Sequence, residues 1–266
     1  MVGPELAGAE LTGPGGAGAE GASEARPAEA ETGAGAGAGA GAIIMRRPSR
    51  RRGVSRGGRR LFAFDRALGA RYVAGADEAG RGSLAGPLVA AAVLIDYGTL
   101  RPADVRVLSA LNDSKQHSPQ ARETLYPLVL RVACRSAVVS RCARSIDRHG
   151  LHVTNLAALR DALLRVARPG SVCLSDGFPV ADLGYEQRAV IEGDARSAAI
   201  AAASILAKVT RDRYMRRADG LHPGWEFATH VGYATPEHRA AIERQGVSPL
   251  HRLSFRSAAY QQLALG

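Results

Sequence analysis

Strand-like runs early in the chain, then strands alternating with helices, predict an α/β domain: one mixed β-sheet flanked by helices, with a small helical C-terminal appendage. Three observations carry this expectation. Leu88 to Ile95 is a continuous apolar run rich in Val and Ala, the pattern of a buried strand. Leu156, Leu159, Leu163 and Val166 recur at helical spacing and so share one helix face. Acids next to glycine stand at the ends of strand-like runs, where open α/β sheets build their sites.

Arg71 to Ala76 reads as the first strand and Leu88 to Ile95 as the second, with Pro87 at its first position, a place that tolerates proline. Asn112 to Lys115 is loop-like. Ser118-Pro119 opens a helix, with serine as N-cap and proline in the first turn; Leu125, Leu128, Val129 and Val132 form its apolar face. Cys134 to Ser140 is the third strand. A helix runs from Leu151 to Ala167 and stops at Pro169-Gly170. Ser171 to Ser175 is a short strand with Asp176-Gly177 at its end, and Arg188 to Glu192 is another, followed by Gly193-Asp194. A long helix spans Ala198 to Arg217. Beyond Leu221 come Trp225, a helix near Pro236 to Gln245 and a last short helix.

Composition divides the chain at residue 60. Residues 1–42 are Ala, Gly, Glu and Pro with almost no large apolar side chain, too little to offset the entropy of ordering, so a disordered tail is expected. The tail is acidic and lacks a basic stretch ahead of an apolar core, so it resembles no secretory signal or transit peptide. Residues 46–60 hold eight arginines and no acid, an arm that attracts phosphate without needing a fold, or else a solvated linker. Through residue 60 there are nine arginines and six glutamates, which leaves +7 of the chain's +10 on the body and favours a polyanionic partner. Residues 61–220 then read as the main domain and 221–266 as the appendage. No run of 18 apolar residues exists to span a membrane. Cys134, Cys142 and Cys173 lack metal-site spacing and read as reduced core residues of a cytoplasmic protein. A monomer is expected.

Asp77 and Glu78 stand at a strand end and are followed at once by Gly80-Arg81-Gly82. Successive strand residues point to opposite faces, so the pair converges only where the chain turns. Glycines let backbone N–H groups approach a ligand, and the arginine fork suits phosphate. Alone, the pair reads more simply as a polar strand end before a turn. Asp176 and Asp194 at two other strand ends change that balance. Four carboxylates without His or Cys suit a hard cation, Mg²⁺ or Mn²⁺. Two such ions, about 4 Å apart, stabilise the attacking and leaving oxygens of an in-line phosphoryl displacement.

The stretch Gly75-Ala76-Asp77-Glu78-Ala79-Gly80-Arg81-Gly82-Ser83-Leu84-Ala85-Gly86-Pro87, continuing through Val93, closely resembles the signature of bacterial ribonuclease HII. So do Leu111-Asn112-Asp113-Ser114-Lys115, Leu174-Ser175-Asp176-Gly177, and Gly193-Asp194 with Ala202 through Asp212. Gly232-Tyr233-Ala234-Thr235 and Ser248 through Phe255 complete the set, in the family's order over about residues 71–256. The resemblance implies a ribonuclease H-like fold. It implies cleavage of RNA in RNA–DNA hybrids and on the 5′ side of a single ribonucleotide in duplex DNA, leaving 3′-hydroxyl and 5′-phosphate ends. It assigns the metal and the chemistry to Asp77, Glu78, Asp176 and Asp194. Reading of the 2′-hydroxyl falls to Gly80, Arg81 and Gly82, and stacking on the next deoxyribose to Tyr233. Such a pair would specify a junction, since only the 2′-hydroxyl separates RNA from DNA at one site. Ser83, Ser175 and Val231 depart from the usual Pro, apolar residue and Lys; the Val231 change weakens a phosphate contact.

Ser204, Lys208 and Asp212 share one helix face. Lys208 is placed to reach a phosphate or the acids, against the simpler reading of a Lys208–Asp212 pair. Lys115 is a candidate phosphate contact. His251 and Arg252 either touch backbone phosphate or pin the appendage to the body. Trp225 reads as appendage core. Gln261 to Gly266 faintly resembles a sliding-clamp-binding peptide but lacks its terminal aromatic residue, so a frayed helix end is the simpler reading. Two other functions compete: a DNA-directed nuclease or strand transferase on the same fold, and a non-enzymatic hybrid binder. A DNA-only enzyme has no 2′-hydroxyl to read, and a binder has no need of four acids.

Overall fold

The computed structural model describes residues 56–111, 117–255 and 260. The expectations for residues 1–55, for Lys115 and for the clamp-like C-terminus lie outside the described residues, as does most of the last short helix.

Five strands form one mixed sheet in the order β3-β2-β1-β4-β5. β1 (Tyr72–Ala79) pairs antiparallel with β2 (Leu88–Asp96), and β2 antiparallel with β3 (Arg135–Arg141). On its other edge β1 pairs parallel with β4 (Ser171–Asp176), and β4 parallel with β5 (Glu186–Val190). The apolar run expected as a buried strand is β2, buried from Leu88 through Ile95. β5 starts and ends two residues earlier than its pattern suggested, because Ile191 and Glu192 leave the ladder for the turn that carries Asp194.

Helices cover both faces. On one face α6 (Ala198–Leu221), α3 (Pro119–Val132) and α1 (Arg56–Arg66) pack on Val73, Val93, Ile95, Val172 and Leu174. α2 (Pro102–Val107) joins α1 on that side. On the other face α4 (Ala143–His149) and α5 (Leu151–Val166) pack on Ala74, Ala76, Ala90, Ala92 and Leu94. The strand alternation is therefore strict: odd positions of β1 face α6 and even positions face α5. α6 can approach β1 closely because Gly75 has no Cβ; one added there would lie 2.2 Å from the Ala199 carbonyl carbon.

α1 runs through the expected boundary at residue 60. Leu61 and Phe62 anchor it, and Arg59 and Arg60 form its exposed side. Asp65 secures it further: its carboxylate accepts from Tyr97 Oη at 2.8 Å and from Ala199 N–H at 3.0 Å, capping the start of α6. Residues after 221 share a core with the body: α7 (Phe227–His230) buries Phe227 against Ala85, Met215 and Ala218, and α8 (Pro236–Gln245) buries Ile242 against Leu84. Trp225 lies in this core, donating from Nε1 to the Gly246 carbonyl, as expected. The cysteines depart from expectation. Cys173 is buried, but Cys134 and Cys142 are exposed, because they flank the edge strand β3. No helix among the described residues is long and apolar enough to cross a membrane.

Candidate active site

Asp77 and Glu78 lie inside β1, paired opposite Ala91 and Ala90, and not beyond its end. They leave the strand on opposite faces. They open into one cleft because β1 stops at Ala79 and Gly80 turns the chain with φ +87. Asp176 ends β4. The parallel register that pairs Ala76 with Ser175 sets Asp176 beside Asp77. Its Oδ1 accepts the Gly193 N–H at 2.7 Å, which ties the following turn to the strand end. Asp194 sits in that turn, Gly193–Ala195, and is buried. All four acids line a cleft of about 260 Å³, together with Gly80, Arg81, Gly82, Ser204, Lys208 and Tyr233. Every described site residue expected from the sequence is there except His251 and Arg252.

The electrostatics are those of crowded carboxylates. Burial, and then the charge of Glu78, push the Asp77 carboxyl well above the ordinary carboxylate range; a Ser204 hydrogen bond opposes them. Burial also raises Glu78, against the Asn155 amide and the Arg81 charge, which favour its ionised form. Among the described residues no three His, Cys, Asp or Glu side chains close tightly enough to enclose an ion as they stand. The donor set still fits a hard cation. It is all oxygen, two members are held where their own charge is disfavoured, and Glu78 Oε2 is buried with no hydrogen-bond partner among the described residues.

The Gly80-Arg81-Gly82 turn is held from behind by two buried arginines. Arg211 donates to the carbonyls of Pro87, Ala85 and Val231 at 3.0, 3.0 and 2.9 Å. Arg252 donates twice to Gly86 and once to Arg81. Burial lowers Arg252 to about 9, which leaves it charged at neutral pH. Arg81 lies 3.7 Å from Glu78 and over the Phe178 ring at 4.7 Å. Gly82 faces open space.

Of the two readings of His251 and Arg252, these positions support the pin. Both are buried, and every polar atom of each is engaged internally; His251 bonds Ser248 and His238, so neither is presented to a phosphate. A second histidine, His230, accepts from Gly232 N–H through Nδ1 and donates to Trp225 O through Nε2, fixing the backbone just before Tyr233. Val231, the departure noted above, adopts φ 44, a left-handed conformation that costs a β-branched residue strain.

Lys208 does pair with Asp212, at 2.9 Å, yet it also lies 5.1 Å from the Tyr233 ring centroid at the cleft. Three residues of the site escaped the sequence reading. Arg122 lines the cleft and reaches Asp212 at 3.6 Å. Phe178 carries Arg81. Asn155 faces Glu78. Two left a trace in the pattern, each a polar residue on an apolar stripe: Asn155 on that of Leu159, Leu163 and Val166, and Arg122 on that of Leu125 and Val129.

The family model for ribonuclease HII matches residues 74–258. A ribonuclease HII of Mycobacterium bovis is 49% identical over 207 residues, 77% of this chain and 76% of its own. One of Rhizobium johnstonii is 50% identical over 198 residues, covering 74% and 83%. Among solved structures, ribonuclease H2 of Pyrococcus horikoshii matches with a TM-score of 0.59 at 25% identity, over 72% of this chain and 96% of that one. With this sheet order, this cleft and these relatives, the chain belongs to the ribonuclease HII family: a nuclease of ribonuclease H-like fold that hydrolyses phosphodiester bonds.

Proposed function

We propose that the chain hydrolyses RNA in RNA–DNA hybrids and nicks duplex DNA on the 5′ side of a single embedded ribonucleotide, leaving 3′-hydroxyl and 5′-phosphate ends. The observation that carries this reading is the sharing of one cleft by the four carboxylates and the Gly80–Gly82 turn. Asp77, Glu78, Asp176 and Asp194 are the residues to hold Mg²⁺ or Mn²⁺. When bound, a pair of such ions supplies Lewis-acid stabilisation of the attacking and leaving oxygens. The bare Gly82 backbone lets a ribose come within hydrogen-bond reach, so the 2′-hydroxyl is read by main-chain groups. Tyr233, flanked by Lys208 and Arg211, offers a ring face to the adjoining deoxyribose. Lys208 and Arg122, gathered by Asp212, favour a phosphate at the cleft mouth. A cytoplasmic monomer acting on chromosomal duplexes suits this chemistry.

The test is an end-labelled DNA duplex with one ribonucleotide, incubated with Mg²⁺ or Mn²⁺. A single nick 5′ of the ribonucleotide is expected, and the all-DNA duplex stays intact. Equal cutting of both duplexes would favour a DNA-directed nuclease instead.

A further inference from the structure

We propose that Asn155 is a positioning residue of the cation centre, fixing Glu78 as a ligand from the α5 side of the sheet as Ser204 fixes Asp77 from the α6 side. This rests on the cation reading of the cleft and adds to it how the second acid is aimed.

The need for two anchors follows from the strand. Asp77 and Glu78 are consecutive in β1 and leave on opposite faces, so no one helix can orient both. Ser204 of α6 hydrogen-bonds Asp77. On the other face the neighbouring polar side chain is Asn155 of α5, buried beside Glu78.

Asn155 is fully buried, and neither its Oδ1 nor its Nδ2 has a hydrogen-bond partner among the described residues. A buried amide with both ends idle is destabilising, and apolar side chains fill the rest of its stripe. Glu78 Oε2 is idle and buried in the same way. A donor and an acceptor thus stand as neighbours, both incomplete, at the wall of the carboxylate cleft. Glu78, drawn toward a cation by one oxygen, leaves the other for the Asn155 amide. A neutral donor suits this place, because a lysine or arginine would oppose the ion's charge. Arg81, the other partner of Glu78, sits on the exposed turn and stays available to substrate.

The experiment titrates MnCl₂ into the full-length chain by calorimetry, without nucleic acid, for the parent, Asn155→Leu and Asn155→Ser. Unfolding temperatures are measured in parallel in EDTA. Loss of an outer-shell anchor weakens Mn²⁺ binding about 10–100-fold, while the Leu variant unfolds in EDTA at or above the parent temperature. If the Leu variant does not fold, the smaller Ser side chain carries the same comparison. Parent-like Mn²⁺ affinity in a folded variant overturns the proposal. So does a lowered EDTA unfolding temperature with unchanged affinity, which marks a merely structural residue. A parent chain that binds no Mn²⁺ overturns the cation reading itself, a result distinguishable from the other two.

Discussion

Arg252 donates from Nη1 to the carbonyl oxygen of Arg81 at 3.0 Å across 171 positions of sequence. Its remaining donors go to Gly86 O, so one buried guanidinium ties the C-terminal segment both to the glycine-rich turn and to the chain entering β2. Replacing it by Met keeps much of the volume but leaves buried carbonyls unpaired, a loss of about 2–4 kcal/mol. Urea unfolding of Arg252→Met checks this. The loosened turn should also raise KM more than it lowers kcat, whereas a lost catalytic group would do the reverse.

The two glycines of the turn differ in why they are glycine. Gly80 has φ +87, and a Cβ there would lie 1.9 Å from Arg211 Nε. Gly82 has open space around it. Gly80→Ala is therefore expected to destabilise the fold by about 2 kcal/mol or more, from strain and displacement of Arg211. Gly82→Ala should leave thermal stability unchanged and weaken binding of a ribonucleotide-containing duplex. Equal unfolding temperatures for both variants would contradict this division.

The folded pKa of Asp77 lies above its ordinary 3.8 through burial and the charge of Glu78. A raised carboxyl stabilises the fold below its unfolded pKa, and that stability is lost as pH rises through the folded value. Without metal, Asp77→Asn should therefore be more stable than the parent at pH 7, by about 1 kcal/mol or more. The gain should shrink as pH falls toward 4. Chemical unfolding in EDTA across that range measures it.

Asp65 behaves alike for a different reason. Burial raises it to about 6 despite its bonds to Tyr97 and the start of α6. Oδ2 takes both of those bonds, whereas Oδ1 has no partner among the described residues, so an asparagine fits with its oxygen in the working place. Asp65→Asn is expected to gain up to about 3 kcal/mol above pH 6 and nothing below pH 4, by the same linkage. Asp65→Ala, which uncaps α6, should lose about 1 kcal/mol or more. Urea midpoints at pH 4 and 7 separate the cases.

The four acids were legible because each stands where an apolar run meets glycine, and sheet ends gather such residues. Their exact setting was not. β1 outlasts its apolar run by three residues, since Asp77 and Glu78 complete the ladder with β2, so the pair straddles the sheet. α1 was hidden because arginines are its commonest residue, although Leu61, Phe62, Phe64 and Asp65 face inward. Phe178 carries no periodic signal, and its role, like that of Arg122, arises from chain crossings that local pattern does not encode. The buried engagement of His251 and Arg252 is likewise a property of long-range packing.

The most direct test of the carboxylate centre is single-turnover cleavage of a labelled RNA–DNA hybrid by Asp176→Asn beside the parent chain. Asp176 lies outside β1, at the end of β4, and its carboxylate accepts the Gly193 amide, which an asparagine oxygen can also accept. Loss of one carboxylate from a cation centre removes several kcal/mol of transition-state stabilisation, so the rate should fall by about a thousandfold. Hybrid affinity should stay within about threefold of the parent, since the loss is confined to the transition state. A rate within about tenfold of the parent, less than about 1.4 kcal/mol of barrier, would contradict the account.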